Sequence, residues 1–373
     1  MSRLSSRLLS KDRLSKALQS VAIIVFGFIV SGIIMLAVGY DPIAAYSAMF
    51  FGSAEKGMQG AFGGIYGITS TLREASFIIL TGLAAQVAFS AGVFNVGVEG
   101  AMYLGAFVSF MCAYVFSAPA GSVLGVLHAL FCIFAAMVAG LLWMCIPAFL
   151  KVKRGAHEVV TTIMLNYVAT YLTELLVVKF FLPTTGIPPG GIITPEISKS
   201  AEIPQIDFMG AKLNLGIVPT ILMAVVMYIV IKKSVLGYSI RVVGANPNAA
   251  KYAGINVGRI ILFVMLAGGA MGGLAGAIAV QFTEYRFDQS FSPGYGISGI
   301  PVALIGRLDV LGIILAGIFM SALHVGAQSI QPVTGMPSQI SLFIEGVIVF
   351  AAAMPGAFDI LKAYIKPRGE KNE

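Results

Sequence analysis

A chain of 373 residues in which 58% are hydrophobic and only 11% charged, with a mean hydropathy of +0.90, lacks the polar surface that water-soluble domains of this length need. The bilayer must be its solvent, and too few charges are present for a disordered chain. The formal charge of +7 therefore has to be read by position before any nucleic-acid partner is inferred from it.

The first 16 residues are basic and lead into an apolar run at 17–39. That run is too long for the core of a cleaved signal and lacks a small-residue cleavage site, so it reads as a retained first span. A glycine-rich loop is expected at 40–74. Spans follow at 75–93, 96–116, 121–150 and 159–182, each long enough to cross about 30 Å of hydrocarbon at about 1.5 Å per residue. Cys112, Cys132 and Cys145 lie within these apolar runs without metal or redox spacing and read as packing residues.

The second and third spans are joined almost directly through Asn95, Gly97 and Glu99. Asn95 and Glu99 stand one helical turn apart, which predicts a shared face, and Asn95 is suited to cap the third helix. A carboxylate among apolar helices is costly enough that it has a partner or lines water, so Glu99 is read both ways. Gln86, one span earlier, is a weaker candidate of the same sort.

The segment 183–212 contains Pro183, Pro188, Pro189, Pro195 and Pro204 with Gly186, Gly190 and Gly191. It cannot continue a helix and reads as a connector, an outer gate or a docking surface. A sixth span at 213–231 leads to the inner loop 232–259, KKSVLGYSIRVVGANPNAAKYAGINVGR. There Gly244 interrupts, Asn246 is a good N-cap, Pro247 suits the first helical position, Ala249 and Ala250 favour helix, and Gly254 suits a left-handed stop. The prediction is a helix of one to two turns at the cytoplasmic face. A helix so short needs something packed on it. Ala249, Ala250, Ala253 and Tyr252 are expected to be exposed, either in a cleft of another protein or on the membrane surface.

The span at 260–282 carries Gly268, Gly272 and Gly276, with Gly269 and Gly273 beside them, two small-residue rows expected to bring helices close on one face. A short segment at 291–306, interrupted by glycine and proline, is counted as a crossing at a thin, protein-buried place. Spans at 310–330 and 338–358 and a basic tail, 359–373, complete the chain. The expected architecture is an all-α polytopic protein with a transmembrane region at 17–358, ten crossings and both termini cytoplasmic. In that orientation 18 of the 24 lysines and arginines fall on the inner side, as the positive-inside rule demands. The positive charge is thus an orientation signal rather than a nucleic-acid footprint.

Reactive constellations are missing. The chain has no G-x-x-x-x-G-K-[ST] loop, no H-E-x-x-H and no G-x-S-x-G, and His128, His157 and His324 are scattered. No catalytic residues, metal site or cofactor are expected, and the chain reads as a non-enzyme.

Three stretches carry a resemblance: GVFNVGVEGAMYLGAF at 92–107, IRVVGANPNAAKYAGINVGR at 240–259 and GISGIPVALIGRLDVLGIILAGIF at 296–319. They resemble the permease subunits of bacterial ABC importers in the branched-chain amino acid and ribose permease superfamily, in particular the branch that imports nucleosides and simple sugars. The resemblance implies a multi-pass protein of the bacterial plasma membrane. It also implies a cytoplasmic ABC ATPase, a second permease subunit of the same or a different chain, and an extracytoplasmic substrate-binding protein as partners. ATP hydrolysis then belongs to the separate ATPase, and Arg241, Gly244, Asn246, Pro247, Ala249, Ala250, Tyr252 and Gly254 are expected to couple to it. Gln86, Asn95, Glu99 and Tyr103 are expected along the translocation path. Glu99, where ribose-type relatives commonly carry aspartate, favours nucleosides, with simple sugars such as ribose or galactose as the alternative. An ion-coupled secondary transporter is the alternative of another class. Its hallmark of paired broken helices with mid-membrane carboxylates is matched only by 291–306, which holds no acid.

Overall fold

A computed structural model of the chain describes residues 24–53, 57–182 and 191–352. The basic segment 1–16, the start of the first span, the prolines at 183, 188 and 189, the end of the last span and the tail 359–373 lie outside the described residues.

The described chain is mainly helical, with irregular connections and one antiparallel hairpin of β1 (Ile206–Phe208) and β2 (Ala211–Leu213). Helices α3 (Ile65–Ser90), α4 (Val98–Val115), α5 (Val123–Arg154), α6 (Glu158–Phe180), α10 (Val257–Ile278) with the π turn Ala279–Glu284, and α12 (Val310–Thr334) are long and apolar enough to cross a membrane. Helices α7 (Ile217–Lys233) and α8 (Val235–Ala245) form a further pair, bent by 71°. Helix α11 (Tyr295–Ile305) is apolar but shorter, α2 (Pro42–Phe50) and α9 (Pro247–Tyr252) are brief, and the apolar helices α1 (Ile24–Val38) and α13 (Ser338–Ala352) run to the edges of the described residues. The protein is thus an all-α polytopic membrane protein.

Local signals set many boundaries. The Ser122 side chain caps α5 by accepting from Gly125 N, and Gly155 (φ +66°) ends it after Lys151, Lys153 and Arg154, cations that suit the negative end of the helix dipole. The segment 40–74 is not one loop. Asp41 accepts from Ile43 N (2.8 Å) with Pro42 in the first turn, which starts α2. Helix α3 begins at Ile65, ahead of the expected residue 75, because Thr69, Thr71 and Glu74 lower the hydropathy of its first turns yet are buried inside the protein.

The described residues form two compact units. In the unit built from 68–321, α10 is held by its glycines. A Cβ at Gly276 would lie 2.2 Å from Met102 O on α4, and one at Gly273 would lie 2.1 Å from Ala136 O on α5. Gly268 and Gly272 belong to the Gly276 row, facing Asn95 and Val98, whereas Gly269 meets Gly140 of α5. The two rows therefore serve different neighbours, not one shared face, since positions one residue apart are rotated by about 100° around a helix. Helices α5 and α6 turn apolar side chains such as Phe131, Phe134, Leu142, Tyr171 and Leu175 outward, as lipid-facing helices do.

In the other unit, formed by the chain on either side, α1 packs on α13 with Gly27 against Ile348 and Ala351. Tyr46 of α2 donates its hydroxyl to Phe28 O of α1 (2.5 Å) with Ser31 Oγ 2.8 Å away.

Candidate functional site

Helix α4 starts from extended chain. Its N-cap is Gly97, and Asn95 Oδ1 accepts from Gly97 N at 2.9 Å in a turn ahead of the helix. Asn95 therefore neither caps α4 directly nor shares a helical face with Glu99, because residues 94–97 are not helical. The entry into α4 is fixed by Asn166 of α6, whose Oδ1 accepts from Gly100 N (2.9 Å) while Nδ2 donates to Val96 O (2.9 Å). It satisfies one of the orphan donors of the first turn. Asn166 was not among the expected residues, although an amide in the middle of an apolar span was the available signal.

Glu99 lies in the first turn of α4 and is buried. Its carboxylate reaches the start of α11, accepting the Ser292 hydroxyl (2.6 Å) and Gly296 N–H (2.5 Å). Ser292 Oγ in turn accepts from Gly294 N (3.3 Å) and Tyr295 N (3.1 Å). Carboxylate and hydroxyl together cap a helix that starts inside the protein, where the partial positive charge of its N-terminus favours an anion. Only glycine fits at 296, where a Cβ would stand 2.4 Å from Glu99 N. Tyr103, one turn along α4, donates to Gln289 O (3.0 Å), and its ring lies 4.9 Å from that of Phe291.

The far end of α11 belongs to Gln86. Fully buried on α3, it donates from Nε2 to Leu308 O at 2.8 Å. Arg307 and Leu308, between α11 and α12, are both left-handed (φ +53° and +55°), which costs a non-glycine residue roughly 1–2 kcal/mol. Thr81 of α3 adds a third tie, from Oγ1 to Tyr295 O at 2.9 Å. Helix α11 itself has 11 residues, about 16 Å at 1.5 Å per residue, half the thickness of the hydrocarbon. The interrupted segment 291–306 thus contains a half-helix.

Of the four residues expected along the path, Glu99 and Tyr103 meet at residues 289–296. Gln86 holds the opposite end of α11, and Asn95 is turned to Gly97 and toward Gly268. Ser292, the hinge of this arrangement, was not anticipated; its place before Pro293-Gly294 was the only local hint.

The segment 232–259 is the second place of interest. Ser234 caps α8 by accepting from Gly237 N (3.1 Å), and Arg241 donates back to Ile231 O. Gly244 lies against Ser90 of α3, where a Cβ would stand 2.2 Å from Ser90 O. Asn246 Oδ1 then accepts from Asn248 N (2.9 Å) and Ala249 N (3.1 Å), Pro247 opens α9, and Gly254 (φ +79°) ends it as Ile255 N donates to Ala250 O (2.9 Å). The expectation of an exposed Ala250 is corrected: it is fully buried, because a helix this short keeps its place only through the face it packs inward. Ala249, Lys251, Tyr252 and Ala253 face outward, Tyr252 with 94% of its surface exposed. Helix α8 was not expected, though the cap Ser234 and the buried positions Gly237, Ile240 and Val243 follow helical spacing.

The family described as branched-chain amino acid transport system, permease component, matches residues 67–353. The chain is 34% identical to the guanosine ABC transporter permease protein NupP of Bacillus subtilis, over 96% of this chain and 99% of that protein. It is 32% identical to the glucose ABC transporter permease protein TsgB13 of Haloferax volcanii, over 86% of this chain and 82% of the relative. It is 31% identical to the nucleoside ABC transporter permease protein NupB of Lactococcus lactis, with 94% of each chain covered. No solved structure matches the chain.

Proposed function

Because the chain belongs to the permease family of branched-chain amino acid transport systems, we propose that it is the membrane-spanning subunit of an ATP-driven importer for nucleosides. The observation that carries the substrate class is the near full-length similarity to the guanosine and nucleoside permeases. The glucose permease among the relatives supports simple sugars as the second reading.

In this reading the chain crosses the membrane ten times, with residues 1–16, the loop 232–259 and the tail 359–373 in the cytoplasm and 183–212 outside. A substrate-binding protein delivers solute at the outer face, and a second permease subunit completes the path. Helix α9 is the docking element for a separate ATPase: it presents Ala249, Tyr252 and Ala253 outward while Ala250 anchors it. Only a difference in how the ATPase grips α9 in its two nucleotide states can supply the coupling free energy.

Tyr252→Asp places a charge on the outward face without touching the anchor. It is expected to abolish uptake while the protein remains in the membrane, read by labelled guanosine uptake and by co-purification of the ATPase. Normal uptake by this variant would contradict the docking assignment. Competition between nucleosides and glucose, with and without ATP depletion in a strain lacking the chain, decides substrate and energy source.

A further inference from the structure

Gln86 is buried with only half of its amide satisfied. The side chain is fully buried, its Nε2 is engaged, and its Oε1 has no hydrogen-bond partner among the described residues. An apolar side chain of the same shape would relieve that unmet acceptor. What the amide touches is the carbonyl of Leu308, the second of two consecutive non-glycine residues in the left-handed region. Backbone of this kind persists where its surroundings over-determine it, and it gathers at segments that switch. The turn joins α11 to α12. The other end of α11 is bounded by left-handed Gly294 (φ +101°) and held by Glu99, Ser292 and Thr81. Between its two ends, α11 meets α3 backbone to backbone: a Cβ at Gly299 would lie 2.3 Å from the carbonyl carbon of Thr81.

We infer that Gln86 is a positioning residue for transport, whose amide holds Arg307 and Leu308 in their left-handed form and so sets α11 as a short lever between two hinges. This rests on the importer reading above. The lever takes one position when Leu308 is held and another when it is released, while the longer helices stay in register. Gln86 therefore governs the rate of the transport cycle and makes no contact with solute.

The test uses the complete transporter, with its ATPase and binding protein, reconstituted in liposomes and assayed with labelled guanosine. Gln86→Met keeps the shape and removes the donor. Expected are a thermal unfolding midpoint little changed, since relief of the unmet Oε1 offsets the donor lost to the half-buried Leu308 O, a maximal uptake rate lower by about tenfold, and an apparent affinity within about twofold. Adding Leu308→Gly, which accepts positive φ freely, is expected to restore the rate of Gln86→Met to within about threefold. Weakened affinity at an unchanged maximal rate would make Gln86 a solute contact and overturn the inference. So would a midpoint that falls in step with the rate, an unaltered rate, or the absence of rescue by Leu308→Gly. Uptake by the unsubstituted assembly that ignores ATP overturns the importer reading and this inference with it. ATP-driven uptake that Gln86→Met leaves intact overturns this inference alone.

Discussion

Helices α9 and α11 are both short and both begin with a capped first turn, yet the bonds that hold them differ in range. In α9 the cap is Asn246 acting on residues two and three positions ahead, and the closing bond joins Ile255 to Ala250. In α11 a local cap from Ser292 onto Gly294 N and Tyr295 N is itself pinned by Glu99, 193 and 197 positions away from Ser292 and Gly296, and the ties from Thr81 and Gln86 span 214 and 222 positions. A locally capped helix can present an outer surface to a partner while its caps stay unchanged. A helix whose cap is pinned from afar is tied to its neighbours, and whatever displaces α3 or α4 displaces it.

The largest expected effect breaks the distant cap. Glu99→Leu leaves the buried Gly296 N–H without its acceptor, at roughly 1–3 kcal/mol, and the half-buried Ser292 hydroxyl without its own, at less. The thermal midpoint of the purified protein should drop accordingly. Glu99→Gln retains one acceptor oxygen for these donors, so its loss should be the smaller; equal losses would argue that the capping bonds are unimportant. Next comes the local cap: Asn246→Ala is expected to cost about 1 kcal/mol, seen as faster amide exchange confined to 247–254 with α11 unaffected. Spread of that effect to α11 would erase the contrast between the two helices. The smallest belongs to the ion pair of Lys232 with Asp309 (3.0 Å), whose side chains are 44% and 41% exposed. Asp309→Asn should change stability by less than about 1 kcal/mol, and the effect should vanish in high salt.

The same contrast explains how much could be read from the residues in order. Helix α9 was legible because cap, proline and left-handed stop are consecutive in the chain. Helix α11 was legible only as an interruption, since the carboxylate that pins its Ser292 cap comes from another helix. Glu99 and Tyr103 announced themselves as polar groups in apolar runs, but Ser292 and Asn166 gain their roles from what the fold brings to them. The early start of α3 was hidden for a related reason: Thr69, Thr71 and Glu74 look like loop residues until burial among other helices is known.

The glycine files of α10 have a mechanical consequence. Where backbone rests on backbone at Gly273 and Gly276, no layer of side chains is left to change rotamer and absorb a twist. A rod clamped in this way on two sides can tilt with its neighbours but not spin against them. It serves the molecule as a keyed strut, and deformation is diverted to parts less tightly bound.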